Sequence, residues 1–227
     1  MLRWALALLA SVAATASFAQ VSVTASLLSD DRFRGVSLTR DHPAAQLDVT
    51  YDHDSGWYAG AFGSNVEFDP GRPEAELIGY TGYARRLDSG WSLDGGAAYS
   101  TISGGDGYSY LELHAGVASQ ALSARLYFSP DYFGRGIRTL YAELNASHRV
   151  LDRVDLIGHA GVLQALSGAT AQTGGTHPHV DLLAGVEARV QRFTLQLGRV
   201  TSDGARRVYP VYGQTSGAWT ARLSARF

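Results

Sequence analysis

Two small groups of residues in this sequence have the types that active sites and metal sites use. Ser147, His159 and Asn145 are a hydroxyl, an imidazole and an amide, a set that resembles a hydrolase constellation. The segment 177–179 (His-Pro-His) and Asp181 offer imidazole and carboxylate ligands of the kind that bind Zn²⁺. What either group can do depends on the elements that carry it.

Both groups lie in or next to segments in which apolar and polar residues alternate. Leu140, Ala142 and Leu144, for example, alternate with Tyr141 and Glu143. A period of two predicts a β-strand with one apolar and one polar face, because successive side chains point to opposite sides. About a dozen such segments follow the first twenty residues, at 21–29, 45–53, 57–65, 76–86, 91–100, 108–118, 121–129, 139–149, 153–163, 180–190, 193–201 and 218–227.

The connections between these segments alternate in length. Short turns are predicted near 54–55, 88–89, 119–120, 151–152 and 191–192, and longer polar stretches at 30–44, 66–75, 101–107, 130–138, 164–179 and 202–217. Short turns at one end and long loops at the other are typical of bacterial outer-membrane barrels. The sequence therefore predicts an all-β fold, a transmembrane antiparallel up-and-down barrel of about 12 strands in one domain, 20–227.

Two-residue hairpin turns fix which residues face each other. A turn at 119–120 places His114 opposite Arg125 and Glu112 opposite Tyr127, and a turn at 191–192 places Glu187 opposite Gln196. Apolar residues then also meet apolar residues across both hairpins.

A turn at 151–152 places Arg149 opposite Asp155 and Asn145 opposite His159. This patch lies on the polar face, inside the predicted barrel, and no catalytic motif flanks it. We therefore expect polar packing and no enzyme activity. The proline and the loop setting favour an exposed histidine pair over a metal site, so neither a metal nor another cofactor is expected.

Bilayer hydrocarbon offers no partners to backbone polar groups, so the sheet must close with its apolar face toward lipid and its polar face inward. The residues expected to line the lumen carry both signs of charge: Arg85, Asp94, Glu112, His114, Arg125, Glu143, Arg149, Asp155, Asp181, Glu187, Arg189 and Arg222. They would either line a wet channel or pair into a network that props a closed barrel. Aromatic residues near strand ends are expected in the interfacial girdles: Tyr51, Tyr58, Trp91, Tyr99, Phe128 and Trp219.

The two chain ends predict export and insertion. Residues 1–19 contain Arg3, an apolar run and a Ser-Phe-Ala end, which is typical of a cleaved signal peptide. The last strand ends on the aromatic Phe227 and shares one apolar parity with Trp219 and Leu223. We interpret these three residues as the signal for the barrel-assembly machinery of a Gram-negative outer membrane.

Composition fits a secreted β protein. The chain has no cysteine and 26 glycines, and all of its 19 basic residues are arginines. Loss of Arg3 with the signal peptide leaves 18 basic against 21 acidic residues, which argues against a nucleic-acid partner because that would need a basic stripe. A mean hydropathy of -0.07 with no second long apolar run excludes a helical membrane protein.

Four stretches resemble motifs of the TorF family, proteobacterial porin-like proteins of the outer membrane. They are 29–37 (SDDRFRGVS), 56–60 (GWYAG), 64–68 (SNVEF) and 128–134 (FSPDYFG), and the resemblance spans the mature chain in order. Asp31 departs from the pattern, where an aromatic residue is expected. The resemblance implies a β-barrel with a transport role, and it supplies neither a solute nor catalytic residues.

Arg32 and Arg34 follow the first strand where it leaves the membrane. They would fold back as a positive ring at the pore mouth, bind anionic lipopolysaccharide groups outside, or lie in a solvated loop. We expect passive diffusion of small hydrophilic solutes through the lumen. A closed structural or adhesive barrel is the alternative, and an outer-membrane hydrolase is a third. The expected partners are outer-membrane lipid, lipopolysaccharide, the assembly machinery and the solutes.

Overall fold

The structure is a computed structural model that describes residues 20–68, 70–103, 108–168, 177–203 and 217–227. The predicted signal peptide, 1–19, and parts of four long loops lie outside these residues. The strands are β1 (Gln20–Leu28), β2 (Arg32–Phe33), β3 (Val36–Ser37), β4 (Ala44–Asp52), β5 (Trp57–Val66), β6 (Glu74–Arg86), β7 (Ser92–Ser103), β8 (Ser109–Ala118), β9 (Leu122–Ser129), β10 (Arg138–Leu151), β11 (Val154–Ser167), β12 (His179–Val190), β13 (Phe193–Ser202) and β14 (Gly217–Arg226).

Twelve of the strands in the described residues form one closed antiparallel barrel in which each strand pairs with its neighbours along the chain. The barrel closes where β1 pairs with β14, with Ala25 opposite Ala225 and Leu27 opposite Leu223. The prediction of a 12-stranded up-and-down barrel is confirmed. Among the described residues, no helix is long and apolar enough to cross a membrane.

The two faces of the barrel follow the alternation in the sequence. Outward side chains are mainly apolar and exposed, such as Leu27, Leu126 and Trp219 at 63, 52 and 74%. Inward positions of the same strands carry Ser26, Arg125 and polar neighbours. An exposed apolar band around a closed sheet suits contact with lipid. Of the six predicted girdle residues, Tyr58 is a correction, because it points inward and contacts His114 across the lumen.

The strand registers test the hairpin predictions. The β12–β13 pairing matches, with Glu187 opposite Gln196. The β10–β11 pairing also matches, with Asn145 opposite His159, although a bulge at Val150 moves the turn to 152–153. The β8–β9 prediction is wrong by two positions: four residues separate the paired Ala118 and Ser123, so His114, not Glu112, lies opposite Tyr127. A slip of two preserves the faces, because the side-chain period is two.

The first long connection, 29–43, enters the barrel as a hairpin that the sequence did not predict. Strands β2 and β3 pair through Arg32–Ser37 and Phe33–Val36. The two residues between them, Arg34 and Gly35, both have positive φ, at 51° and 77°. This is the signature of a two-residue type I′ turn. We call residues 29–43 loop 1 and residues 32–37 its hairpin.

Loop 1 takes part in an apolar core inside the long-loop half of the barrel. Val36 and Leu38 of loop 1 pack with Tyr132 and Phe133 of a 3₁₀ turn (Tyr132–Gly134) and with inward side chains of the strands. Those strand residues are Val66, Ile102, Tyr110, Tyr141 and Leu163. Tyr132 and Phe133 are 0 and 1% exposed. This end of the lumen is therefore packed like a protein interior.

We predict that an arginine on the outer face destabilises the barrel and one on the inner face does not. Leu197 lies near the middle of β13 and faces outward, while its neighbour Gln196 faces inward beside Glu187. Leu197→Arg should lower the free energy of unfolding in lipid vesicles by about 2–4 kcal/mol if it lies at the bilayer midplane. Gln196→Arg should cost far less, because its charge stays in the polar lumen.

Urea titration of both variants in the same vesicles measures the difference. Equal losses in the two variants would contradict the assignment of the outer face to lipid.

Candidate functional site

Below the loop 1 hairpin the lumen holds an open cavity of about 550 Å³. It extends from the hairpin to the connection at 119–122, so it reaches toward the short-turn end of the barrel. Among the described residues its walls carry three arginines and four carboxylates: Arg32, Arg34, Arg189, Glu112, Glu143, Asp181 and Glu187. The cavity is thus lined by nearly balanced charge.

The roof of the cavity is the side chain of Arg34. Its Nη2 donates to both carboxylate oxygens of Glu112, at 2.9 and 3.0 Å, and its Nη1 donates to the hydroxyl of Tyr132 at 2.9 Å. The guanidinium also lies 4.1 Å from the ring centroid of Tyr141 and 5.3 Å from that of Tyr127. Removing one partner of such a buried ion pair costs about 3–5 kcal/mol, because the other charge is left without compensation.

The backbone of the hairpin tip is fastened to the opposite wall. The ring nitrogens of His179 lie 2.8 Å from the carbonyl oxygen of Arg34 and 2.6 Å from that of Asp203. Ser202 donates to the carbonyl oxygen of Gly35. A Cβ on Gly35 would meet the Cβ atoms of Ser202 and Asp181 at 2.7 and 2.8 Å. Only glycine fits this close approach of loop 1 to β12 and β13.

A second polar cluster lies beside Arg34 on β10, β11 and β12. His159 Nε2 lies 2.8 Å from Asp181 Oδ1, and His159 Nδ1 lies 2.7 Å from Asn145 Oδ1. The hydroxyl of Tyr141 donates to Asp181 at 3.1 Å. The predicted contact between Asn145 and His159 is confirmed.

The residues of the two candidate sites contact other partners in the described part of the chain. The hydrogen bonds of His159 in the described residues go to Tyr141, Asn145 and Asp181, and none goes to the hydroxyl of Ser147. The two ring nitrogens of His179 contact backbone carbonyls, and Asp181 contacts His159. Within the described residues no three potential metal ligands lie close enough together to hold an ion.

Ion pairs line the short-turn half of the lumen. Asp155 accepts from Arg149 and pairs with Arg189 at 2.9 Å, and Arg189 also pairs with Glu187 at 2.7 Å. Across the lumen, Asp94 pairs with Arg125 at 3.3 Å and lies 3.2 Å from His114. The arginines of these pairs are 41–59% exposed, whereas Asp94 and Asp155 are 13 and 6% exposed, so each pair is solvated on its arginine side.

Eleven of the twelve residues predicted to line the lumen lie on inward positions: Asp94, Glu112, His114, Arg125, Glu143, Arg149, Asp155, Asp181, Glu187, Arg189 and Arg222. The twelfth, Arg85, is a correction. Its neighbour Ala84 lies opposite the inward Asp94, so Arg85 faces outward, opposite Leu93. Because Arg85 and Arg86 are adjacent at the end of β6, the sequence does not show which of them faces inward. The long side chain of Arg85 can reach the membrane–water interface from an outward position near the strand end.

The arginines predicted for the pore mouth occupy a different environment from the one expected. Arg32 pairs with Asp30 and Asp41, and its side chain is 3% exposed. Arg34 is buried against Glu112. Their charges are therefore compensated inside the barrel, and they form neither an exposed positive ring nor an outer surface for lipopolysaccharide.

Several residues of the site were not predicted. Tyr127 and Tyr141 share the inward parity of Glu143, which was a usable signal, but Tyr132 comes from a connection whose path the pattern does not reveal. His179, expected to be exposed, is a correction: it begins β12, is 3% exposed and contacts the backbone of loop 1. Asp31, the departure from the family pattern, is buried and accepts a hydrogen bond from Ser64. Burial raises the pKa of the Asp31 carboxyl, and the Ser64 hydrogen bond opposes that shift.

Comparison with known families assigns most of the chain to one model. Residues 12–226 match the Gcw_chp family, described as bacterial protein of unknown function. No curated protein sequence matches the chain. The TorF name remains a prediction from motifs.

The barrel has the fold of outer-membrane porins. The NanC porin superposes with a TM-score of 0.54 at 12% identity, covering 91% of this chain and 98% of that one. The KdgM porin gives 0.53 at 12% identity with the same coverage. A COG4313 outer membrane channel from Pseudomonas putida F1 gives 0.50 at 11% identity, covering 94 and 96%. At these identities the similarity defines the fold alone.

We predict that Gly35→Ala displaces the hairpin while the barrel stays folded. The added Cβ would clash with Asp181 and Ser202, and an alanine at a positive φ costs about 1–2 kcal/mol in addition. Limited proteolysis should then cut loop 1 faster. Gly71→Ala is the matched control, because Gly71 also has a positive φ (71°) but meets no atom within 4 Å. Equal proteolysis of the two variants would show that the close approach at Gly35 does not hold the loop.

Proposed function

Because the chain belongs to the Gcw_chp family and has the fold of porin barrels, we propose that it is an outer-membrane channel. Small hydrophilic solutes diffuse passively through its lumen. The protein reaches the membrane through a signal peptide cleaved after residue 19, and it acts without enzymatic chemistry. Its surroundings are outer-membrane lipid and lipopolysaccharide.

The observation that carries this proposal is the polar cavity inside a closed sheet. A barrel whose only task is structural has no need of an open volume of about 550 Å³ lined by seven charged side chains. The solvated pairs at Asp94–Arg125 and Asp155–Arg189 extend this polar surface toward the short-turn end. Such a lumen admits water and small polar solutes and sorts them by charge and size.

The charges on the wall bear on which solutes pass. The KdgM porin has been crystallised with a disordered oligogalacturonate. In the present chain the cavity has one more carboxylate than arginine, and Glu143 forms no ion pair with an arginine among the described residues. Its hydrogen bonds come from the Tyr127 hydroxyl and the Asn145 amide. This balance favours cationic or neutral solutes over polyanions.

Loop 1 sets the narrowest part of the route. Its hairpin and the core around Tyr132 pack the long-loop half of the lumen, so passage in this conformation is limited at that level. The same packing is the observation in favour of the alternative, a closed structural or adhesive barrel. The two proposals differ in whether the folded protein conducts ions.

We predict opposite changes in ion selectivity for the two partners of one lumen pair. Arg125→Gln removes a positive charge and should shift the reversal potential in a salt gradient toward cations, whereas Asp94→Asn should shift it toward anions. Arg125→Gln should lower the free energy of unfolding by less than about 1 kcal/mol, because Arg125 is 41% exposed in this pair. Asp94→Asn should cost more, because Asp94 is 13% exposed and also contacts His114. Planar-bilayer recordings of the refolded protein, 20–227, measure both shifts.

Absence of conductance from wild-type protein that is heat-modifiable on gels, and therefore folded, would contradict the channel and support the closed barrel. Shifts in the same direction for both variants would contradict the role of this pair in selectivity.

The C-terminal residues Trp219, Leu223 and Phe227 belong to the proposal as the signal for the barrel-assembly machinery. All three face outward, and the backbone of Phe227 exchanges two hydrogen bonds with Val23. Phe227→Ala keeps those backbone bonds, so it should reduce insertion in cells while refolding into micelles is unchanged. Phe193→Ala is the control, since Phe193 is also exposed at the same end. Normal cellular assembly of Phe227→Ala would refute the signal.

A further inference from the structure

The guanidinium of Arg34 lies in a cage that the barrel and its 3₁₀ turn provide. We use the term guanidinium cage for Glu112 of β8, Tyr127 of β9, Tyr141 of β10 and Tyr132 of the 3₁₀ turn. None of these residues belongs to loop 1, although Phe33 of the hairpin adds a ring 4.5 Å from the guanidinium. Three of the four binding groups are thus on neighbouring strands, and the fourth, Tyr132, is on a turn that also packs against Val36 and Leu38 of loop 1.

The chemistry of the cage suits a planar, delocalised cation. Glu112 accepts two hydrogen bonds from one nitrogen, Tyr132 accepts one from another, and the ring of Tyr141 lies 4.1 Å away. A guanidinium satisfies in-plane acceptors and a stacked ring at the same time, because its donors lie in one plane and its faces are weakly hydrated. An ammonium group is compact and strongly hydrated, and it cannot match both.

The cage communicates with the cavity. Glu112, Tyr127 and Tyr141 also form part of the cavity wall. Glu143 lies at the rim, where the Tyr127 hydroxyl donates to it at 3.3 Å, and no arginine pairs with it in the described residues. A cation that enters the cavity therefore meets a carboxylate before it reaches the cage.

The present occupant is held in a conformation that carries strain. Arg34 has φ of 51°, a left-handed backbone that costs a non-glycine residue free energy. This backbone strain offsets part of the free energy that Arg34 gains from its contacts with the cage. A free solute binds without this strain.

We propose that the cage is a recognition site for solutes that carry a guanidinium group, and that Arg34 occupies it in their absence. This inference rests on the proposed channel, since it names the class of solute that the lumen selects. A solute that binds the cage displaces the Arg34 side chain and with it the contact that ties the hairpin to β8.

The test is binding to the refolded protein in micelles, measured by calorimetry with methylguanidinium as the probe and methylammonium as the charge-matched control. Arg34→Ala, which empties the cage, should bind methylguanidinium at least tenfold more tightly than methylammonium. Wild-type protein should bind it more weakly than Arg34→Ala, because the tethered arginine competes. Arg34→Ala/Glu112→Gln should lose the preference, because the carboxylate is gone.

Arg40→Ala is the control within loop 1. Arg40 has the same charge but lies outside the cavity wall, and its guanidinium donates to the carbonyl oxygen of Phe68. Binding by Arg40→Ala should equal that of wild-type protein. All variants are first checked for heat-modifiable mobility, which reports barrel folding apart from loop 1.

No preference for methylguanidinium in folded Arg34→Ala, or a preference that survives in the double variant, would overturn the cage assignment. The channel is tested separately by conductance. Selective binding without conductance in any variant would leave the binding site in place and contradict the proposed channel. Conductance without selective binding would leave the proposed channel in place and contradict the binding site.

Discussion

Closure of the sheet is the constraint on which the rest of this structure depends. A sheet in hydrocarbon cannot leave an edge of unpaired backbone groups, since water is absent there. Pairing of β1 with β14 removes both edges, and the last residue, Phe227, joins the ladder through Val23. Once the sheet is closed, the alternation of side chains has one meaning along every strand: outward to lipid, inward to the lumen.

The inward charged groups are compensated differently at the two ends of the lumen. In the short-turn half, pairs such as Arg125–Asp94 remain solvated. In the long-loop half, loop 1 and the 3₁₀ turn around Tyr132 fill the space, and buried charges require full compensation. Arg34 meets that requirement with Glu112 and three tyrosines. Loop 1 and the 3₁₀ turn thus divide one barrel into a packed half and an open half.

Individual strands show how far the pattern of residues reaches. Faces could be predicted for nearly all inward residues, because parity survives errors in turn length; even the β8–β9 register, wrong by two, kept Arg125 inside. Arg85 failed because Ala84, Arg85 and Arg86 end a strand without a clear alternation. The predicted cross-strand partners were wrong more often than the predicted inward or outward positions. Glu112, predicted to lie opposite Tyr127, instead pairs with Arg34 of loop 1, and His114 lies opposite Tyr127.

The sequence by itself determined the strand count, the two faces, and the alternation of short and long connections. These properties are local, since each depends on a period of two or on the composition of one segment. Only the tertiary structure decided that loop 1 enters the lumen, that Arg34 and Gly35 form its turn, and that Tyr132 and His179 hold it. These contacts join residues about 100 and 145 positions apart, and their geometry exists only after the barrel has closed around them.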